Sequence, residues 1–315
     1  MTTRIIGTGS CLPVNIISND QLATIVDTSD EWISSRTGIR YRRVAEGETG
    51  AGMASEAAKR ALENAGVSAD KIELIIVATC TADMQFPSTA CMVQKEIGAK
   101  HAVAFDLSAA CSGFLFALNT VHAYFTAGIY KKALIIGTEV LSKLVDWSDR
   151  STCVLFGDGA GAAVAVVEAS DIGLEGFVQH ADGEKGEVLT CAGANRTENP
   201  AYIHMDGQEV FKFAVKKVPE CIQEVLEITG TEKEDIRWYL LHQANSRIIQ
   251  SAAKRLKEPE EKFPMNMDQY GNTSAASIPI LLDEMNRRGK LKRGDRLMMS
   301  GFGAGLTWGA AQIVW

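Results

Sequence analysis

Three stretches of this 315-residue chain recur at one spacing. Leu74-Ile-Ile pairs with Trp238-Tyr-Leu, Asp106 with Tyr270, and Leu134-Ile-Ile-Gly137 with Met298-Met-Ser-Gly301, each 164 positions apart. Coincidence can supply one such match, whereas three in register imply a duplicated unit. The chain therefore reads as two halves, 1–170 and 171–315. Strand-like runs in the first half (Arg4 to Gly7, Lys71 to Thr79, His101 to Phe105, Ala133 to Gly137, Gly161 to Val167) alternate with helical patterns over Met53 to Asn64 and Pro87 to Ile97. The second half repeats the order with strands at Ile236 to Leu241, Phe263 to Asn266, Arg296 to Ser300 and Ala310 to Trp315. Such alternation predicts an α/β fold with a largely parallel sheet in each half. Gly7 to Pro13 reads as a turn, Asp171 to Gly207 as an excursion into the second half, and Pro219 as a break or kink in a helix starting at Glu209.

Composition narrows the classes. A net charge of -7 argues against a general nucleic-acid binder. The longest apolar region, Cys153 to Val167, is interrupted by Asp158 and glycines, so no membrane insertion is expected. The N-terminus has no basic segment followed by an apolar one, so no signal peptide is expected. Seven cysteines contain no C-x-x-C pair and no zinc spacing. The expected setting is a reducing cytoplasm, with no metal.

In open α/β sheets, ligands bind beyond the carboxyl ends of the strands, so the chemistry is sought there. Asp106-Leu-Ser-Ala-Ala-Cys-Ser-Gly-Phe-Leu-Phe116 leaves a strand and enters a helical pattern, with small residues around Cys111. A thiol at a strand-to-helix turn lies near the positive end of the helix dipole, which favours the nucleophilic thiolate. A buried, inert cysteine is the competing reading. His242 follows an apolar strand at once and is trailed by Gln243 and Asn245, whereas His101, His122, His180 and His204 read as structural. Asn272 and the run Gly301 to Gly305 occupy similar places, and either alone would be a turn. Trp32 and Arg36, four apart, share one face of a capped helix; they are a ligand clamp or a surface aromatic covered by an arginine stem. Gly157-Asp-Gly-Ala-Gly161 has a dinucleotide-fingerprint look, but a strand follows it instead of a helix, so it reads as a turn.

Taken together, Thr28-Ser-Asp-Glu-Trp-Ile-Ser-Ser-Arg-Thr-Gly-Ile-Arg40, Asp106 to Phe114, Leu241-His-Gln-Ala-Asn245, Tyr270-Gly-Asn-Thr-Ser-Ala-Ala-Ser277 and Gly301 to Trp308 resemble the β-ketoacyl-acyl-carrier-protein synthase III family. The resemblance implies a thiolase-like fold with duplicated α/β halves layered α-β-α-β-α. It also implies an acyltransferase that starts fatty-acid synthesis. Elongating condensing enzymes use Cys-His-His and biosynthetic thiolases a second Cys; Cys111, His242 and Asn272 match the initiating type, a set that plant-type polyketide synthases share. In the implied reaction an acyl-CoA acylates Cys111 and CoA leaves. Malonyl-acyl carrier protein then loses carbon dioxide, and its enolate attacks the acyl carbon. Backbone N–H groups of Cys111 and Ala304 form the implied oxyanion hole, and His242 and Asn272 are neutral donors to the enolate.

The same resemblance puts Thr28, Trp32, Arg36, Arg150, Asn245 and Arg247 on CoA. Trp32 and Arg150 would sandwich the adenine, Arg36 would meet the phosphates and Asn245 the pantetheine. Gln208 stands where the family often has Asn. Phe86 would limit the acyl pocket, reaching it from a second subunit of a homodimer. The carrier protein is acidic, and Arg247, Lys254, Arg255 and Lys257 would dock it, with Lys212 and Lys216 adding to the patch; a merely solvated helix face competes. No cofactor is implied, since the CoA thioester is a substrate. The competing functions are a related Cys-His-Asn acyltransferase or hydrolase, a polyketide-type starter condensing enzyme, and a non-catalytic acyl-CoA binder.

Overall fold

The computed structural model describes residues 1–193 and 202–315. Its first part contains β1 (Thr2–Cys11), β2 (Ile16–Ser18), α1 (Asn19–Leu22), α2 (Asp30–Thr37), β3 (Tyr41–Arg43), α3 (Gly50–Ala65), β4 (Leu74–Ala78), α4 (Thr89–Ile97), β5 (Val103–Leu107), α5 (Gly113–Thr126), β6 (Lys132–Glu139) and β7 (Gly159–Glu168). There follow β8 (Leu174–Ala181), β9 (Leu189–Cys191), β10 (Ile203–Met205), α6 (Gly207–Thr229), β11 (Ile236–Leu241), α7 (Ser246–Leu256), α8 (Met267–Tyr270), α9 (Ser277–Arg287), β12 (Arg296–Gly303) and β13 (Thr307–Val314).

Two large sheets carry the duplication. One has the order β1-β7-β6-β4-β5 and the other β8-β13-β12-β11. Strand for strand, β8, β13, β12 and β11 answer β1, β7, β6 and β4. The 164-residue spacing holds to the residue for β6 and β12, whose ends are Lys132 and Arg296, Glu139 and Gly303. It holds again for α5 and α9, which start at Gly113 and Ser277.

The layering follows from which faces are apolar. Helices α3 and α4 cover the outer face of the first sheet, α5 and α9 lie between the sheets, and α6 covers the outer face of the second, with α7 packed on it. Strand β4 is buried along its whole length because helices cover both of its faces. Helix α5 buries Phe114, Leu115, Ala117, Leu118, Val121 and Phe125, the nearly all-round apolarity of a helix in a central layer.

Several expectations change. The sheets are mixed: β5, β4 and β6 run parallel, but β7 is antiparallel to both β6 and β1. In the second sheet only β11 and β12 are parallel. No crossover helix separates β6 from β7 or β12 from β13, so the chain reverses instead of returning in parallel. Phe263 to Asn266 forms no strand, so β5 has no counterpart. The Asp171 to Gly207 stretch contains β8, an edge strand of the second sheet, and residues 194–201 of it lie outside the described residues. Helix α6 is not broken at Pro219, which is buried with Val218, Cys221, Ile222 and Val225, so packing on the sheet outweighs the lost hydrogen bond. Gly159 to Gly161 opens β7 instead of forming a turn.

Gly7 to Cys11 also continues a strand, for a steric reason. A Cβ at Gly9 would fall 2.3 Å from the Ala57 carbonyl oxygen of α3, and one at Gly7 would fall 2.5 Å from that of Ala61. Only bare backbone lets α3 lie this close. Gly9→Ala is therefore expected to cost about 1–3 kcal/mol, while Gly183→Ala, with nothing within 4 Å of the added methyl, leaves stability unchanged. Urea unfolding midpoints of the two variants check this, and equal midpoints would contradict the packing.

Candidate active site

Cys111 sits in a one-turn 3₁₀ segment, Ala110–Ser112, that leads into α5. Its duplicate, 164 residues on, is Ser274–Ala276, leading into α9. Both turns begin with a non-glycine residue at positive φ, 45° for Ala110 and 49° for Ser274. Local strain of this kind persists only where the surroundings enforce it. Here each turn is gripped by a strand end of the other half. A Cβ at Gly303 would lie 2.6 Å from the Cys111 backbone nitrogen, and one at Gly137 would lie 2.2 Å from the Ala275 carbonyl oxygen. Ala275 occupies the place in the second half that Cys111 occupies in the first.

A cavity of about 850 Å³ reaches this junction. Cys111, Ser274 and Ala304 line it together with Leu141, Leu144, Phe156 and Ile203. The turn thus presents the thiol, the Ala304 backbone and an apolar channel to one space. Burial pushes the Cys111 thiol up to about 12, with the Ser274 hydroxyl pulling it down and Glu139 pushing it further up. The expectation that the helix dipole yields a thiolate is corrected: desolvation outweighs it, and the resting group is a thiol.

His242 and Asn272 are not among the cavity-lining residues, though Asn272 pairs with Phe156 and lies two residues before Ser274, both of which are. His242 follows β11, and its N–H donates to the Ser300 carbonyl of β12, the strand that grips Cys111. Its Nδ1 is 2.7 Å from Ser277 Oγ, and Phe302 meets the ring edge-on with centroids 5.4 Å apart. Ser277 Oγ also accepts the Gln243 N–H, so this one serine holds both the ring and the backbone of the strand end. Burial lowers the His242 pKa to about 3. The ring is neutral.

Asn272 is held by its backbone: its N–H donates to the Leu155 carbonyl at 2.8 Å, and its own carbonyl accepts from Gly157 at 3.0 Å. Asn272 Oδ1 accepts the Ser274 N–H, leaving Nδ2 as the donor end. The structure thus brings Cys111, His242, Asn272 and Ala304 onto adjoining segments from both halves.

The residues expected on CoA form a second group. Arg36 and Arg150 both lie on Trp32, with guanidinium carbons 4.6 and 4.7 Å from the ring centroid. Arg150 also donates to the Asp27 carbonyl. A base entering between Trp32 and Arg150 must first lift that arginine. Thr28 Oγ1 is buried with no hydrogen-bond partner among the described residues. Asn245 caps α7 by accepting from Arg247 N, and the Arg247 guanidinium lies over Phe211. Gln208 lies in the first turn of α6, where its N–H donates to Asp206.

Arg247, Lys254, Arg255 and Lys257 are all exposed on α7 or just after it, opposite buried Ile248, Ile249, Ala252, Ala253 and Leu256. Lys216 is exposed too, while Lys212 is paired with Glu209 at 2.7 Å. Phe86 is 81% exposed, beside Met84 and Gln85, which line the cavity.

Sequence reasoning did not single out Glu139, Ser274 or Ser277, although Ser277 bonds His242 and Ser274 bonds Glu139. A signal for Glu139 was present: an acidic residue ends the apolar run Ala133 to Gly137, at the carboxyl edge of a strand. Ser277 carried no such signal.

A five-layer duplicated fold with a cysteine at the entrance to its central helix belongs to the thiolase-like class. Comparison with known proteins refines this. Residues 105–183 match the family described as 3-oxoacyl-(acyl-carrier-protein) synthase III, and residues 226–315 match its C-terminal part. The chain is 52% identical to β-ketoacyl-acyl-carrier-protein synthase III of Clostridium botulinum, over 99% of this chain and 98% of that protein. It is 48% identical to the protein of that name from Clostridium acetobutylicum, over 100% and 99%. The crystal structure of the Aquifex aeolicus synthase III superposes with a TM-score of 0.96 at 49% identity, covering 99% of this chain and 100% of that one. The chain belongs to the β-ketoacyl-acyl-carrier-protein synthase III family.

With His242 neutral down to about pH 3, condensation should show no inflection near the ordinary histidine pKa of ~6.5. The same depression makes His242 favour folding fully above pH ~6.5, and that contribution is lost as pH falls towards 3. Rates of the isolated condensation step between pH 5 and 8 test the first point. An inflection near 6.5 that disappears in His242→Gln would contradict a permanently neutral ring.

Proposed function

We propose that this chain initiates fatty-acid synthesis by priming Cys111 with an acyl group from acyl-CoA and condensing it with malonyl-acyl carrier protein. The products are 3-ketoacyl-acyl carrier protein, carbon dioxide and CoA. The observation that carries the reading is the close approach of Gly303 to the Cys111 backbone, with Cys111 and Ala304 lining one cavity. Attack of sulfur on a thioester carbonyl places negative charge on oxygen, and N–H groups of Cys111 and Ala304 are the donors for it. The enolate left by decarboxylation needs donors without positive charge. His242 Nε2 and Asn272 Nδ2 meet that need, and neither repels the departing carboxylate.

CoA is a substrate in this scheme, so no resident cofactor is required. The Trp32, Arg36 and Arg150 cluster, with the unpartnered Thr28 hydroxyl, supports a nucleotide end here. Arginine forks suit phosphates and stack on aromatic faces. The exposed cations of α7 support docking of an acidic carrier. A homodimer is supported by β5, an open edge of the first sheet with Val103 exposed, and by the uncovered Phe86 ring beside the cavity. Cytoplasmic residence fits the cysteine usage. Among the described residues no helix is long and apolar enough to cross a membrane.

Labelled acyl-CoA plus malonyl-acyl carrier protein, followed by mass spectrometry of protein and product, tests the scheme. Label on Cys111 with a 3-ketoacyl product is expected; label with free acid as the sole product would favour a hydrolase, and no label a binder. Cys111→Ala is expected to lose acylation, whereas Asn272→Ala keeps acylation and loses condensation. Equal loss of acylation in both would break the division of labour. Reversing Lys254 and Arg255 to Glu should raise KM for the malonyl carrier and leave acyl-CoA priming unchanged, and an unaltered KM removes the docking patch.

A further inference from the structure

Asn272 can donate from Nδ2 only if its carboxamide is held the right way round, and its backbone alone does not settle that. The Leu155 carbonyl and the Gly157 N–H fix its main chain and leave the side chain free to turn. One contact orients it: Oδ1 accepts the Ser274 N–H at 2.9 Å. A backbone N–H does not bond an amide NH2, so this contact puts Nδ2 at the opposite end. The direction of the Ser274 N–H therefore sets the direction of the Asn272 donor. Ser274 keeps that direction at a φ of 49°, a conformation that a side-chain-bearing residue does not adopt unaided.

The hold on Ser274 comes from the other half. Its hydroxyl donates to Glu139 Oε1 at 3.1 Å, at the end of β6, while bare backbone at Gly137 of the same strand lies against Ala275. Glu139 is fully buried and is itself gripped on several sides. Thr81 Oγ1 donates to Oε2 at 2.6 Å and the Cys80 N–H at 3.2 Å, and the Cys80 thiol donates to Oε1 at 3.2 Å. Thr81 Oγ1 in turn accepts the Val140 N–H at 2.8 Å. These partners are all neutral donors, and only a carboxylate accepts at both oxygens at once; an amide here would turn its NH2 on Thr81 or on Ser274. A buried carboxylate facing no cation is destabilising unless its donors are complete, so Ser274 is held as firmly as the carboxylate itself. The duplicate turn lacks this device. Gly303, the equivalent of Glu139, brings only backbone to the turn that starts at Ala110, and Ala110 holds a φ of 45° with no hydroxyl at all. The Ser274–Glu139 contact is thus more than such a turn needs in order to form.

We infer that Glu139 and Ser274 are positioning residues for the condensation step: acting through the Ser274 turn, Glu139 holds the Asn272 carboxamide with Nδ2 as the end offered to the enolate. The inference rests on the proposed role of Asn272 as an enolate donor. Glu139 reaches the reaction through Ser274, and Ser274 reaches it through Asn272. Priming of Cys111 calls on neither contact.

Two steps are timed separately on the full-length protein. Priming is followed as single-turnover acylation of Cys111 by labelled acetyl-CoA. Condensation is followed as single-turnover formation of the 3-ketoacyl product when the acylated enzyme meets malonyl-acyl carrier protein. Ser274→Ala is the cleaner variant, because alanine already occupies the equivalent φ at Ala110, and Glu139→Gln is the second. Each is expected to slow condensation on the order of 10-fold and to slow priming far less. Equal slowing of both steps, or wild-type condensation in Ser274→Ala, overturns the inference. A general loosening of the fold would add to any other defect, whereas positioning acts only through Asn272. Ser274→Ala placed on top of Asn272→Ala should therefore bring no further loss in the residual condensation rate, and an additive loss overturns the inference as well. If the wild-type acyl-enzyme yields no 3-ketoacyl product, or Asn272→Ala condenses as fast as wild type, the enolate-donor reading beneath it fails instead.

Discussion

The mutual grip of the two halves at their strand ends governs the rest of the structure. Strand β12 presses Gly303 on the turn of Cys111, and β6 presses Gly137 and Glu139 on the equivalent turn of Ser274 and Ala275. Both contacts are too close for a side chain at the glycine, and both hold a non-glycine residue at positive φ. Cys111 therefore owes its place to backbone packing between halves, and its orientation does not depend on a flexible loop.

Duplication followed by divergence explains the asymmetry of the site. One turn kept a sulfur and the other carries Ala275 in that place. One strand end is Gly303, close to the Cys111 backbone; the other is Glu139. Helix α9 begins at Ser277, directly after the silent turn, and that serine is hydrogen-bonded to His242 Nδ1. The inactive copy thus supplies the supports of the active one.

Electrostatics in this interior runs against intuition drawn from helix dipoles. Burial raises the Cys111 thiol to about 12 and lowers His242 to about 3, so the resting pair is neutral on both sides. A neutral pair suits a site that must first hold an uncharged acyl group and later accept a malonyl carboxylate. Desolvation dominates because the turn is packed between the two halves of the fold.

By itself the sequence determined the duplication, the class of fold and the residues to watch, because apolar periodicity and strand-end position are local properties. The capped helix carrying Trp32 and Arg36, the amphipathic α7 and the cysteine turn were legible for the same reason. Strand direction was not, since the reversal of β7 and β13 leaves the apolar pattern of each strand unchanged. Nor was the turn assigned to Gly7, whose bareness serves a helix lying across a strand. Tertiary structure alone decided that Glu139 meets Ser274 across 135 positions of sequence, and that Cys111 rests as a thiol. Both depend on how deeply two distant segments are buried against each other, and no single stretch of residues encodes that.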